Sequence, residues 1–510
     1  MAALSCGLAA PLARAGGVQI TMMMDDDNLI YRGDKVRDKT LAKMKSLGVD
    51  YVRVTLLWSV VAEHARDTKR AAALFKRRGA DDPRAYPKGN WDRYDNLVRS
   101  AQGMGLGVYF NVTGPGPAWG HEKAPASEQR SQASWKPIPR QFKLFVRAVG
   151  RRYSGTYKDE NFQHKKIPRV AFWSLWNEPN QGGWLTPQWW HGKAYSPYLF
   201  RNLYIAGHEG LVGTGHGKDV ILMGETAPNG KSSRSRSRNP MYPVTFIRSL
   251  FCVDGAGHKI NGKGCSVFAN GPLQATAYAH HPYTKDRSPL EKDPSPLAIT
   301  MANVDTLTKL LDQIAANTGR FQANALVALT EFGYETKPPD PYHGVSLAKQ
   351  ADYSNIADFL SWLNPRVISQ TQFLLRDVAP DKSYPKTSKR YWFSYQSGLF
   401  FHNGKAKPAA AAYQFPFLAF PYATDAQGRK SFFVWGQTRF RPNTVKDLVY
   451  LQFKPDDKST GWVSIGQPIV TQARNYFSTA VTVPSPGKLR AVWGGKDPPY
   501  LLTSRPVDAK

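Results

Sequence analysis

The sequence predicts an eight-fold β/α barrel followed by an antiparallel β-sandwich, and three observations carry the prediction. Between Gly17 and about Pro416 short apolar runs alternate with longer amphipathic segments, the pattern of repeated β/α units around a parallel sheet. The apolar runs number eight, each followed by a helical segment, which is the barrel count. Beyond Pro421 the pattern becomes short alternating runs separated by Gly, Pro, Asn and Asp, which reads as a sandwich.

Taken in order, the eight strands are expected at 18–24 (VQITMMM), 51–58 (YVRVTLLW), 107–113 (GVYFNVT), 169–176 (RVAFWSLW), 220–225 (VILMGE), 275–281 (ATAYAHH), 325–331 (ALVALTE) and 368–375 (ISQTQFLL). Helical periodicity falls at 35–47, 91–104, 140–153, 197–212, 243–252, 300–316 and 349–363, with 407–415 after the last strand. The sandwich strands are expected in SFFVWGQ, LVYLQF, WVSIG, FSTAVTV and KLRAVW. These give three regions: a secretion-signal remnant or tail over 1–16, a barrel over 17–420 and a sandwich over 421–510.

The chain has 510 residues, of which 42% are hydrophobic and 12% aromatic, enough to pack a large domain and a smaller one. Its formal net charge of +29 creates a positive field that favours anionic polymers or a cell wall as partners and weakens with salt. Nucleic acid is not expected as a partner. No helix-turn-helix, zinc-finger or single-strand-binding pattern occurs, and the basic residues are spread along the chain. The densest basic run, residues 231–238 (KSSRSRSR), reads as a solvated loop or, more sharply, as a contact to an acidic sugar polymer.

Cys252 and Cys265 bracket a polar, Gly-rich segment, a spacing that suits a loop-closing disulfide and an oxidising compartment. Cys6 lies in an N-terminal stretch whose short apolar run and Ala13-Arg14-Ala15 resemble the end of a secretory signal, so the protein is expected to be secreted. No later stretch has the roughly 18 uncharged apolar residues that a membrane-spanning helix needs. A monomer is expected.

In a parallel barrel, chemistry belongs at the carboxyl ends of the strands, where the βα loops converge. Polar residues gather there: Asp25, Asp26, Asp27 and Asn28 after the first strand, Asn177 and Glu178 after the fourth, Glu225 at the fifth, His280, His281 and Tyr283 at the sixth, and Glu331 at the seventh. In WSLWNEPN, Glu178 lies just past an apolar strand, where Pro179 prevents simple continuation and turns the chain outward. In ALTEFG, Glu331 ends a strand so apolar that a carboxylate there needs a partner or a purpose. Two such carboxyls about 5–5.5 Å apart are what retaining hydrolysis of a glycosidic bond requires, one protonated and one ionised.

These residues resemble clan A of the glycoside hydrolases, with a local likeness to family 39 and to family 5-like enzymes. The resemblance covers roughly 17–416 and is silent about the sandwich. It implies that Glu178 of NEPN is the acid/base and Glu331 of TEFG the nucleophile. It further implies that Arg53 steadies the nucleophile and that Tyr283 of HHPY hydrogen-bonds it. One feature departs from the clan, which places a tryptophan platform near the end of the eighth strand; here that strand offers Gln370, Gln372 and Phe373, and Trp392 is the candidate replacement.

The mechanism then needs Glu178 protonated at the start, favoured by an apolar surround and the charge of Glu331, and Glu331 ionised beside Arg53 and Tyr283. Asn177 is expected to bond a sugar hydroxyl, His280 and His281 the sugar or Glu331, and Trp119, Trp184 and Trp392 to present rings to a carbohydrate. Of Trp58, Trp119, Trp176, Trp184, Trp189, Trp190 and Tyr195, two or three are expected to line the cleft. Glu225 and Glu335 are read as polar contacts or structural residues. No metal and no cofactor is expected, since the two histidines lack a second ligand cluster and DDDN lacks the spacing of a calcium loop. The reading is therefore a retaining glycosidase acting on a polysaccharide or oligosaccharide. Its rivals are a transglycosylase and a secreted, non-catalytic carbohydrate-binding or wall-associated barrel.

Overall fold

A computed structural model of the chain describes residues 19–443, 445–457, 460–495 and 501–510. The expected signal remnant at 1–16, with Cys6, lies outside the described residues.

Eight strands close into one parallel barrel: β1 (Ile20–Met24), β2 (Tyr51–Leu57), β3 (Gly107–Thr113), β4 (Phe172–Leu175), β5 (Val220–Thr226), β6 (Ala277–His280), β7 (Leu326–Phe332) and β8 (Val367–Phe373). They follow one another around the barrel in chain order, and β8 pairs with β1 to close it. All eight fall on the apolar runs read from the sequence. Eight helices cover the outside: α1 (Asp34–Ser46), α2 (Gly89–Gly103), α3 (Pro139–Arg152), α4 (Ser196–Leu211), α5 (Pro243–Leu250), α6 (Val304–Thr318), α7 (Leu347–Leu363) and α8 (Pro408–Gln414). Four of them, α3, α4, α5 and α8, carry proline in their first turn, where the missing N–H costs nothing and the fixed φ suits a helix start.

The barrel is filled in layers. Low in the lumen Met22, Tyr109, Phe172, Leu222, Ala277, Ala279 and Ala328 pack together, and between strands and helices lies the large apolar core. Above the lumen plug the inward-facing residues turn polar: Arg53, Asn111, Ser174 and Glu225 are all fully buried. This change of character along the barrel axis places the site.

After α8 the chain forms two packed antiparallel sheets. One contains β9 (Phe417–Thr424), β10 (Lys430–Gln437) and β13 (Tyr476–Val483). The other contains β11 (Leu448–Pro455), β12 (Val463–Val470), β14 (Gly487–Trp493), β15 (Leu502–Thr503) and β16 (Val507–Ala509). Phe417, Phe432, Phe477 and Val483 of one sheet share a core with Val449, Leu451, Phe453 and Leu489 of the other. The expected boundary at 421 falls inside β9, because the apolar run at 417–420 belongs to that strand and not to the preceding helix.

The sandwich is fixed to the barrel. Phe359 and Trp362 of α7 pack on Trp435 and Tyr476, and Arg439 pairs with Asp358 at 2.9 Å. Asp50, just before β2, accepts from Asn443 and Arg474. Since Asp50 lies at the amino end of its strand, this contact is at the end of the barrel opposite the βα loops. Cys252 and Cys265 are bonded, closing the loop after α5. No helix among the described residues is long and apolar enough to cross a membrane.

Candidate active site

At the carboxyl end of the barrel a cleft of about 790 Å³ opens, and its floor holds Glu178, Glu331, Asn177 and Tyr283. None of the residues lining it comes from the sandwich. Local backbone aims the carboxylates inward. Glu178 and Glu225 sit at φ of 37° and 50°, in the left-handed region that a non-glycine residue enters at a cost of about 1–3 kcal/mol. The register of β5 against β6 shifts between Met223 and Thr226, a bulge built on Gly224 at φ 118°, where an added Cβ would stand 2.6 Å from the Ala279 carbonyl. That bulge turns Glu225 into the lumen. The backbone N–H of Glu178 then donates to the Glu225 carbonyl at 3.0 Å, tying the β4 loop to β5.

Arg53 is the hub. Fully buried, it places one nitrogen 2.8 Å from Glu331 Oε1 and the other 3.0 Å from both Glu225 Oε2 and Asn177 Oδ1. Burial opposes its charge, but the Glu225 and Glu331 carboxylates outweigh that and raise its affinity for its proton. Glu331 receives a second bond from the Tyr283 hydroxyl at 2.9 Å. Burial and the charges of Glu331 and Glu178 keep that phenol protonated, far above its ordinary range, so it acts as a donor.

His281 joins the carboxylates on the other side. Its Nε2 lies 2.6 Å from Glu225 Oε2 and its Nδ1 3.0 Å from Glu178 Oε1. Burial disfavours its charge; the Glu331 charge and the bonds to Glu178 and Glu225 prevail and raise it to about 10. Glu225 is completely buried, yet Arg53 and His281, with a bond from Tyr109, hold it well below the usual carboxylate range despite the desolvation. Thr330 donates to it as well, at 2.8 Å. Glu225 is thus a permanent anion that orients Arg53 and His281 from beneath and takes no place in the cleft lining.

Three carboxylates therefore share two cations. Among the described residues Glu225 has four side-chain partners and Glu331 has Arg53 and Tyr283, with His281 Nδ1 at 3.6 Å, while the one side-chain bond of Glu178 is to His281. Glu178 is also the most open of the three, with 21% side-chain exposure against 11% for Glu331 and none for Glu225. It is the carboxyl placed to exchange a proton with a bound molecule. One oxygen each of Glu178 and Glu331 and a ring nitrogen of His281 all lie within 4.8 Å of one another. This is the one grouping with metal-ligand spacing among the described residues, but the ring nitrogen is committed to the proton it shares with Glu178. The DDDN segment is likewise occupied by the chain itself: Asp25 accepts from Asn28 and from the Arg376 N–H, Asp26 from the Thr55 N–H, and Asp27 pairs with Arg32.

The structure brings Arg53, Asn177, Glu178, His281, Tyr283 and Glu331 together, and Trp184 lines the same cleft. Two expected residues are not there. Trp119 packs edge-on against Trp58 and Phe75, with Arg66 over its ring at 5.3 Å, because the inserted helix Lys69–Arg78 folds over it. Trp392 is not a platform: only 9% exposed, it donates to the Lys386 carbonyl and meets Tyr391 edge-on at 4.9 Å, turned into its own loop. Of the seven loop aromatics expected near the site, Trp184 alone lines the cleft; Trp58 and Trp176 are fully buried in the core. The cleft takes its other rings from Tyr31, Tyr283, Tyr342, Phe373 and Tyr395. Tyr283 and Phe373 were named from the sequence; Tyr31, Tyr342 and Tyr395 were missed because they sit outside the periodic segments. The basic run at 231–238 folds back on the barrel, where Ser237 bonds Glu128, Arg238 the Arg130 carbonyl, and Arg234 lies over Trp189.

The fold and site define a closed parallel barrel with a paired-carboxylate centre at its carboxyl end. No family model and no curated protein matches the chain. Among solved structures it is similar to a family 39 glycoside hydrolase from Bacteroides cellulosilyticus WH2, at 14% identity over 92% of this chain and 79% of that one, with a TM-score of 0.46. It is also similar to GH5_18 from Streptomyces cattleya in complex with GlcNAc, at 16% identity over 78% and 79%, TM-score 0.42. A third similar structure is the endo-beta-1,4-mannanase from Thermotoga petrophila, at 10% identity over 98% and 99%, TM-score 0.41.

Proposed function

We propose that this protein is a retaining glycosidase in which Glu331 is the nucleophile and Glu178 the general acid/base. The observation that carries the reading is the close approach of the two carboxyls, with oxygens within 4.8 Å across an open cleft. Retention needs about 5–5.5 Å between the two carboxyl groups, whereas inversion needs room for a water and about 6.5–9.5 Å. Glu331, paired with Arg53 and aligned by Tyr283, attacks the anomeric carbon while Glu178 gives its proton to the departing oxygen. Glu178 then removes a proton from water, which attacks the glycosyl-enzyme and frees Glu331. His281, bonded to Glu178 throughout, keeps that carboxyl in register for both steps.

The substrate on this reading is a polysaccharide or oligosaccharide, met outside the cell by a monomeric enzyme; the Cys252–Cys265 bond supports an oxidising location. A second surface favours an anionic polymer as partner. Between the inserted helix Lys69–Arg78 and the segment 83–91 a groove of about 760 Å³ is lined by Arg70, Arg77, Arg78, Arg84 and Lys88, with the buried Arg152 beneath. Asp82 pairs with Arg78 and Arg84, while Asp95 and Glu160 pair with Arg152. Arg70, Arg77 and Lys88 have no ion-pair partner among the described residues.

The test is a panel of 4-nitrophenyl glycosides. Glu331→Gln abolishes turnover, and azide restores it to Glu331→Gly with a glycosyl azide of inverted configuration. Accumulation of transfer products in preference to hydrolysis would make the protein a transglycosylase. Tight binding of one glycan with no turnover of any would make it a binding protein.

A further inference from the structure

The loop between β8 and α8 contributes Leu374, Val378, Tyr395 and Ser397 to the cleft lining, and of these Tyr395 is the aromatic one. Tyr395 is 57% exposed and lines the cleft together with Glu178, Glu331 and Phe373. Its ring meets Phe373 edge-on at 5.0 Å; Phe373 meets Tyr283 edge-on at 6.0 Å, and Tyr283 holds Glu331. A continuous wall of rings thus runs from the solvent to the proposed nucleophile. Partial desolvation against the ring wall and the charges of Glu331 and Glu178 push the Tyr395 phenol up to about 12, so its hydroxyl is a neutral donor.

The backbone at Tyr395 and at the residue after it is pinned. Its carbonyl accepts from the Val378 N–H at 2.9 Å, and the next residue, Gln396, sends its side-chain amide to the Val378 carbonyl. The Gln396 carbonyl in turn accepts from Lys407 Nζ at 3.0 Å and from Thr336. Lys407 is paired with Asp377 at 2.7 Å, both side chains wholly buried, and Asp377 also accepts from the Gly398 N–H. A buried ion pair contributes little net stability compared with apolar residues of the same volume, but it fixes a geometry. What this one fixes is the loop that carries Tyr395.

We propose that Tyr395, with Phe373 behind it, forms the wall of the catalytic sugar subsite and selects the sugar bound between Glu178 and Glu331. The ligand class is a pyranoside whose C–H face or ring hydroxyl meets the phenol. The inference rests on the glycosidase reading above. Tyr395→Ala and Tyr395→Phe are compared with wild type on the two 4-nitrophenyl glycosides that wild type turns over fastest. Tyr395→Ala is expected to lower kcat/KM at least tenfold, chiefly through KM, and to change the selectivity ratio between the two sugars at least fivefold. Tyr395→Phe is expected to fall between, and both to leave Tm unchanged. A selectivity ratio for Tyr395→Ala within twofold of wild type overturns the inference while leaving the glycosidase reading intact. Absence of wild-type turnover across the whole panel overturns that reading and this inference together.

Discussion

His281 bridges Glu178 and Glu225, with its Nδ1 3.0 Å from one and its Nε2 2.6 Å from the other. A fully buried imidazole raised from 6.5 to about 10 is a stability device with a definite pH signature. Its folded-state pKa lies above the unfolded value, so its contribution is complete below about 6.5 and is lost as pH rises through about 10. Wild-type Tm should therefore fall across that interval beyond what other groups cause. In His281→Gln, which cannot charge, the fall should be flatter; differential scanning calorimetry of both proteins from pH 6 to 11 decides, and parallel curves would refute the assignment.

The same substitution removes the side-chain bond that His281 makes to Glu178. Loss of an oriented acid/base contributes about 10²–10⁴-fold. His281→Gln is expected to lower kcat by at least the smaller of these, more for glycosides with poor leaving groups than for activated ones. Equal losses on both would show that His281 does not act through Glu178.

Arg53 is enclosed by Glu225, Glu331 and Asn177 with no exposure. Removing one member of a buried pair leaves an uncompensated charge and costs about 3–5 kcal/mol. Arg53→Met should lower the urea midpoint accordingly, and Arg53→Lys should recover only part, because one ammonium cannot span two carboxylates. Wild-type stability in Arg53→Met would contradict the network.

The basic groove makes a prediction about charge placement as distinct from charge total. Arg70, Arg77 and Lys88 replaced together by serine should weaken binding to polygalacturonate in affinity electrophoresis, with a shallower salt dependence. Removing three exposed lysines elsewhere, Lys349, Lys430 and Lys446, changes net charge equally and should do much less. Equal effects of the two triple variants would reduce the groove to part of a general positive field.

The sandwich should be inseparable from the barrel. Phe359 and Trp362 of α7 are covered by Trp435 and Tyr476. Trp435→Ala should cost about 3–5 kcal/mol, and a chain ending at 416 should aggregate with those rings exposed. A soluble, active truncated barrel would overturn this. The cleft takes no residue from the sandwich, so Trp435→Ala should leave the KM of the folded protein unchanged.

Much of this was legible along the chain. The eight apolar runs became the eight barrel strands, because a strand buried on both faces must be apolar throughout and the runs have strand length. Glu178 and Glu331 stood out for the same reason, as charges at the ends of segments with no use for charge. The pairing of Cys252 with Cys265 followed from a spacing that leaves little else for two cysteines to do. The aromatic residues misled: Trp119 and Trp392 occupy loops near the right strand ends, but a ring's direction depends on which neighbour buries it, and here the inserted helix and the loop's own backbone did so.

The sequence by itself determined the barrel, the sandwich and which two carboxyls end up at the carboxyl face, since these depend on periodicity and on strand order, both linear properties. Only the tertiary structure decided that Glu225 anchors Arg53 and His281 from below, that Tyr395 and not Trp392 faces the cleft, and that two buried cations serve three carboxylates. Those are relations between residues some 50–170 positions apart, such as Arg53 with Glu225. Their energies depend on distance and burial, which exist only once the barrel has closed.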